Sequence, residues 1–159
     1  MAARVAGARK IIAVDLKPNR LKLALELGAT HAIDNRRDEL TQSILNISSG
    51  GLDYVVETTG DGQLHRAAID LLKPRGKLAV LTGESSADLS GGRKVLSVIQ
   101  GDAVPQKFIP KLIRLWQHGR FPFDRLVRYY LFRQINRAIA DSKRGVTIKP
   151  VLLMGSIER

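Results

Sequence analysis

Asp15 closes the apolar run Lys10-Ile11-Ile12-Ala13-Val14 and is followed by Leu16-Lys17-Pro18-Asn19-Arg20. A strand buried in a parallel sheet reads as such a run, and its last residue lies where the chain leaves the sheet. Pro18 suits the first turn of a helix, where its missing N–H is no loss. A carboxylate held between a strand and the following helix can accept hydrogen bonds from the two hydroxyls of a ribose. It also repels a phosphate carried on that ribose, which is how the acid of a dinucleotide-binding βαβ unit favours NAD over NADP. The plainer alternative is an acid that only caps the helix ahead of Pro18. Its place at the strand end favours the ribose role. In the dinucleotide fingerprint, a strand, a glycine-rich turn and a helix start precede that acid. Here Met1-Ala2-Ala3-Arg4-Val5-Ala6-Gly7-Ala8 precedes it, so the sequence is expected to enter the domain partway through its first helix.

Other chemistry is sparse. There is no cysteine, which excludes disulfides, a thiolate nucleophile and any cysteine-containing zinc site from these residues. His31, His65 and His118 lie far apart with no partner three or four residues away, so no metal site is expected from them. No Ser/His/Asp or paired-carboxylate constellation stands out, and no catalytic residue is assigned. Glu57 reads as a structural acid at a strand end, and Trp116 as a core or interface residue.

With 159 residues, 44% of them hydrophobic and 26% charged, the chain has the composition of one soluble globular domain. No apolar run approaches the roughly 20 residues needed to cross a bilayer, and no signal pattern opens the sequence; no membrane association and a cytoplasmic location are expected. The net charge of +11 is uneven: residues 1–90 carry 12 Lys+Arg against 11 Asp+Glu, and residues 91–159 carry 14 against 4. The basic residues of the second part, such as Lys107, Lys111, Arg114, Arg120, Arg125, Arg128, Arg133 and Arg137, are spaced singly. Without basic–aromatic interleaving they read as a solvated or subunit-facing surface. The rival reading is a basic module for nucleic acid or an acidic partner, whose affinity would fall steeply with salt.

Short apolar runs alternate with helical patterns, which predicts an α/β fold with a parallel sheet. Strands are expected at 10–15, at His31–Ile33, at Tyr54–Val56, over Lys77–Thr82 after a turn at Lys73–Gly76, at Val95–Ile99 and at Ile148–Leu153. Helices are expected after Pro18 up to Gly28, then over Leu40, Ile44 and Ile47 with Asp38 or Thr41 as cap. Further helices should run through Ala67, Ala68, Leu71 and Leu72, through Phe108–Trp116 up to Gly119, and through Ile135, Ala138 and Ile139 up to Gly145. Ser48–Gly51 reads as a break and residues 83–94 as a loop. No repeat or linker divides the chain.

Ile12-Ala13-Val14-Asp15, Leu25-Glu26-Leu27-Gly28-Ala29-Thr30-His31 and Gly51-Leu52-Asp53-Tyr54-Val55-Val56-Glu57-Thr58-Thr59-Gly60 resemble the coenzyme domain of zinc-dependent medium-chain alcohol dehydrogenases. Leu72–Leu78 and Gly101–Gln106 fit the same pattern. Phe108–Leu112 and Gly119–Val127 are similar to its aryl-alcohol branch, and the match covers essentially the whole chain. The resemblance implies a Rossmann-like doubly wound parallel sheet in which residues 1–159 form part of the NAD-binding domain. The first strand, the glycine-rich turn and the catalytic zinc domain would be missing from it. It further implies that the missing strand belongs between the strands at 10–15 and 54–57, so that a gap or an unusual pairing should stand there. The implied activity is oxidation of a primary, aryl-type alcohol to an aldehyde by hydride transfer to NAD, with zinc ligands supplied from outside this chain. The chain alone is expected to be inactive, and a gene fragment without function is the third reading. The family's pattern places Asp15 and Arg20 at the adenosine ribose, Thr58 and Thr59 on the adenine side, Thr82, Ser97 and Ile99 at the nicotinamide carboxamide, and Lys149 at the pyrophosphate. Arg20 and Lys149 read equally well as surface cations. The implied partners are NAD, a small alcohol or aldehyde, and a second copy of the chain paired through a late edge strand near 95–99, where an apolar edge invites pairing.

Overall fold

The computed structural model describes residues 1–36, 39–83 and 87–155. Contacts within the chain gather into two compact units, Ala8–Ile109 and a second made of Met1–Gly7 with the residues from Pro110 onward.

The Ala8–Ile109 unit alternates strands and helices. β1 (Ile12–Asp15) leads into α2 (Pro18–Glu26), preceded in the chain by the four-residue α1 (Ala2–Val5). β2 (His31–Asp34), α3 (Leu40–Ile47), β3 (Leu52–Glu57), α4 (Gly62–Asp70) and β4 (Leu72–Val80) follow. Pro18 opens α2, as its fixed φ allows. Asp61 caps α4 by accepting from the amides of Gln63 and Leu64. Of the two expected caps of α3, Asp38 lies outside the described residues and Thr41 lies inside the helix. Glu39 takes the cap position without a side-chain bond.

The strands form two sheets in this unit. β1 pairs parallel with β2, register Ile12↔His31 to Asp15↔Asp34. β3 and β4 pair parallel, as do β4 and β6 (Arg93–Ser97), and β5 (Ala87–Leu89) adds antiparallel to β6. Among the described residues no strand joins β1 to β3, which is the expected gap. Side chains span it: Ile33, Ile44 and Leu71 are buried together, with Ile12, Leu40, Ile47 and Leu52 packed on them. A second cluster of Ala68, Leu72, Leu78, Val80 and Val95 lies beneath α4. Gly51, at φ +100°, enters β3 in a conformation that favours glycine, and a Cβ there would stand 2.4 Å from the Leu71 carbonyl oxygen.

Several expectations need correction. The helix expected to run through Leu71 and Leu72 ends at Asp70, and the turn at 73–76 is absorbed into β4 as an irregularity of register between Leu52↔Leu72 and Tyr54↔Lys77. The loop at 83–94 contains β5, whose three residues are too few to show periodicity. The strand near 95–99 is β6 and runs from Arg93 to Ser97; among the described residues β5 lies beyond it in the sheet order and pairs with Arg93 to Val95, so of the expected edge only Val95 is covered.

α5 (Pro105–Gln117) runs across the boundary between the units, which falls at Pro110, where the missing N–H interrupts the helical hydrogen-bond ladder. The second unit holds β7 (Val127–Leu131), α6 (Ile135–Arg144) and β8 (Lys149–Leu153), with β7 and β8 parallel. β7 was not expected from the sequence. α6 ends at Gly145 in the left-handed conformation, as its position predicts. At its centre Asp141 accepts from Tyr130 Oη at 3.0 Å and from Arg144 Nη2 at 2.6 Å, and Tyr130 Oη lies 2.6 Å from Thr147 Oγ1. No helix among the described residues is long and apolar enough to cross a membrane.

Candidate functional site

In the β1–β2 sheet the parallel strands end at Asp15 and Asp34 in register, and in the other sheet β3, β4 and β6 bring Glu57, Val80 and Ser97 into register, so each sheet has a carboxyl edge. Open α/β sheets bind ligands outside such an edge. Six of the eight residues expected to hold a cofactor fall on these edges, at or within two residues of a strand end: Asp15, Thr58, Thr59, Thr82, Ser97 and Ile99. Arg20 joins them from the first turn of α2.

At the β1–β2 end, Asp15 is half-buried. Its Oδ1 accepts the Lys17 amide at 2.9 Å and its Oδ2 lies 3.8 Å from Arg20 Nη1. The expected pair is thus assembled, and Asp15 also shapes the turn into α2. The loop after β2 folds back onto this point, since the Asn35 amide donates to the Asp15 carbonyl at 3.3 Å. Asp34 accepts from the Arg36 amide at 3.1 Å, and its two oxygens meet Arg36 Nε at 3.1 Å and Nη2 at 2.8 Å. Neither Asp34 nor Arg36 was singled out from the sequence. The one signal was an acid closing a short strand two residues before an arginine.

At the β3–β4–β6 end, Glu57 is 5% exposed and gathers its surroundings. It accepts from the Thr59 amide and hydroxyl, from the Gly60 amide at 3.1 and 3.2 Å, and from Thr82 Oγ1 at 3.2 Å. Burial pushes its pKa up, but the bonds from Thr59, Gly60 and Thr82 outweigh it and hold the carboxyl below the ordinary carboxylate range. The expectation of a structural acid fits these contacts. The same contacts occupy the side chains of Thr59 and Thr82, while Thr58 is exposed. Ser97 Oγ donates to the Gly83 carbonyl at 3.1 Å, and Ile99 is 68% exposed just beyond β6. Lys149 belongs to the other unit, where it opens β8 opposite Val127.

The residues at Asp15 fit a nucleotide. Arg20 Nε is buried and has no hydrogen-bond partner among the described residues, a costly state for a donor unless a ligand oxygen meets it. Beside it stands a carboxylate that can accept from hydroxyls. Among the described residues no group of three His, Asp or Glu could hold a zinc ion, and the sequence has no cysteine.

Comparison with known proteins identifies the family and the fold. The sequence profile of the family described as "Zinc-binding dehydrogenase" matches residues 1–106. A geraniol dehydrogenase of Castellaniella defragrans is 35% identical over 164 residues, covering 96% of this chain and 44% of the relative. The crystal structure of an alcohol dehydrogenase zinc-binding domain protein from Burkholderia ambifaria superposes with a TM-score of 0.89 at 46% identity, covering 98% of this chain and 44% of that one. The benzyl alcohol dehydrogenase of Acinetobacter calcoaceticus does so with a TM-score of 0.89 at 40% identity, covering 97% and 45%. The chain spans less than half the length of these relatives. Its fold is the Rossmann-like α/β domain of alcohol dehydrogenases, and the chain belongs to the zinc-binding dehydrogenase family.

Proposed function

We propose that residues 1–159 are the coenzyme-binding part of an NAD-dependent alcohol dehydrogenase that oxidises a primary, aryl-type alcohol to an aldehyde. The observation that carries this is the Asp15–Arg20 pair at the carboxyl end of β1, with the Arg20 Nε left for a ligand oxygen. Asp15 accepts from the ribose hydroxyls and Arg20 donates to the same nucleoside. Thr58 and Thr59 line the adenine side, and Thr82, Ser97 and Ile99 present main-chain groups toward the carboxamide. The pyrophosphate role of Lys149 rests on the family resemblance alone. A bound nicotinamide would supply the hydride acceptor for the alcohol carbon, and the part of this domain would be to orient it. The described residues supply no ligand set for zinc. The partners are NAD, a small alcohol or aldehyde and a second copy of the chain, the sheet edge being β5. The cytoplasm is the proposed location.

The test is titration of NADH into the chain, followed by nicotinamide fluorescence. Saturable but weak binding is expected, and Asp15→Ala should weaken it about tenfold, the worth of a hydrogen bond to a charged group. Emission that does not change with protein, or an Asp15→Ala curve that overlays the parent, would overturn the proposal. The same variant should narrow the preference for NADH over NADPH, because it removes the charge that repels a ribose phosphate.

A further inference from the structure

An arginine near the ribose-binding acid ordinarily accommodates a phosphate on the ribose, so the placing of arginines at this edge bears on which cofactor is chosen. Arg36 stands two residues beyond the end of β2. β1 and β2 are hydrogen-bonded neighbours, about 4.8 Å apart by sheet geometry, and Asp15 stands opposite Asp34 in register. The Asn35 amide ties the turn carrying Arg36 to the Asp15 carbonyl at 3.3 Å. Yet the Arg36 side chain is turned onto Asp34, which takes its Nε at 3.1 Å and its Nη2 at 2.8 Å, one nitrogen on each oxygen. The Arg36 amide also donates to Asp34 Oδ1 at 3.1 Å, closing the turn around the same carboxylate. Two-point contact of this kind fixes the guanidinium plane as well as its charge. Asp34 is the better covered partner, its side chain 16% exposed, so the geometry is set from the strand and imposed on the arginine.

We propose that Asp34 is a specificity-determining residue at the adenosine end: it withholds Arg36 from a phosphate on the ribose, while Asp15 repels that phosphate directly. The two acids on neighbouring strands thereby act on the same choice by different routes, one by its own charge and one by neutralising a cation. This rests on the reading of the Asp15 edge as the adenosine site.

Two probes isolate that end of the cofactor: 5′-AMP, and 2′,5′-ADP, which adds only the ribose phosphate. Calorimetric titration of each into the full chain gives a selectivity ratio. Asp34→Asn keeps an oxygen for the Arg36 amide but loses the charge that holds the guanidinium. It should raise the ratio for 2′,5′-ADP over 5′-AMP about tenfold, the value of one charge-assisted contact. Asp34→Ser, which also retains an oxygen for that amide, should do the same by a different side chain. Adding Arg36→Gln to Asp34→Asn should return the ratio to that of the parent. A ratio within twofold of the parent in both Asp34 variants, with 5′-AMP still bound, overturns the role of Asp34 and leaves the site standing. A parent chain that binds neither nucleotide overturns the site itself. A raised ratio that survives Arg36→Gln assigns the effect to the lost negative charge alone and overturns the withholding of Arg36.

Discussion

A buried carboxylate is costly unless hydrogen bonds replace the water it gives up. Glu57 meets that demand with the Thr59 amide and hydroxyl, the Gly60 amide and the Thr82 hydroxyl. The consequence is a loop after β3 and a loop after β4 held by one side chain. Replacing it by glutamine leaves one oxygen to accept and turns an NH2 group toward donors. Glu57→Gln should therefore cost about 1–3 kcal/mol in denaturant unfolding at neutral pH. The sign of the pH effect follows from the lowered pKa. The ionised form contributes stability that is present above the ordinary value of 4.5 and is lost as pH falls through the lower folded value. The parent should lose stability across that acid range more steeply than the Gln variant; parallel acid limbs would contradict the assignment. At this scale, Asp15 was legible because a strand run ends on it. The Asp34–Arg36 contact was not, because it depends on the turn that folds the arginine back.

Elements were legible where an apolar run, a proline or a glycine marks them, as for β1, α2 with Pro18 and α6 with Gly145. β5 and β7 were not: β5 is three residues in a polar stretch, and Tyr130 is the one buried side chain of β7, too little for a pattern. What anchors β7 is Tyr130 with Asp141 of α6 and Thr147 in the turn before β8. Tyr130→Phe keeps the ring and removes the hydroxyl, so the second unit should lose about 1 kcal/mol, read as earlier loss of amide exchange protection in α6 and β8. The Arg144 guanidinium, joined by the Tyr130 hydroxyl, holds Asp141 below its ordinary 3.8 despite burial. That stability is present above 3.8 and is lost as pH falls through the folded value. At the entry to β3 the backbone itself is the constraint. Gly51→Ala must adopt φ +100° and bring its Cβ to 2.4 Å from the Leu71 oxygen. It should cost at least about 1–3 kcal/mol. A Gly51→Ala chain as stable as the parent would mean that β3 starts elsewhere.

Over the whole molecule, the parallel α/β character and the uneven charge were legible, because alternation of elements and composition are properties of long stretches, whereas the gap between β1 and β3 was implied only by the family resemblance. The partition of contacts at Pro110 was not, since it lies inside one helical pattern. The basic half is not a uniform field either: Arg137 and Arg144 both face Asp141, at 3.8 and 2.6 Å. A DNA affinity that falls steeply with salt is therefore not expected, and finding one would revive the basic-module reading. Residues that would orient a cofactor lie at or just beyond the carboxyl ends of β1, β3, β4 and β6, but the described residues supply no group of three metal ligands and the sequence no cysteine. The chain spans 44% of the geraniol dehydrogenase it is similar to. Orientation without a group to polarise the alcohol oxygen leaves the hydride step without its electrophilic partner. The chain alone, given NAD, zinc and benzyl alcohol or geraniol, should show NADH binding but no NADH formation above a protein-free control. Turnover that a chelator abolishes, and that Asp15→Ala reduces, would show that these 159 residues build a metal site of their own.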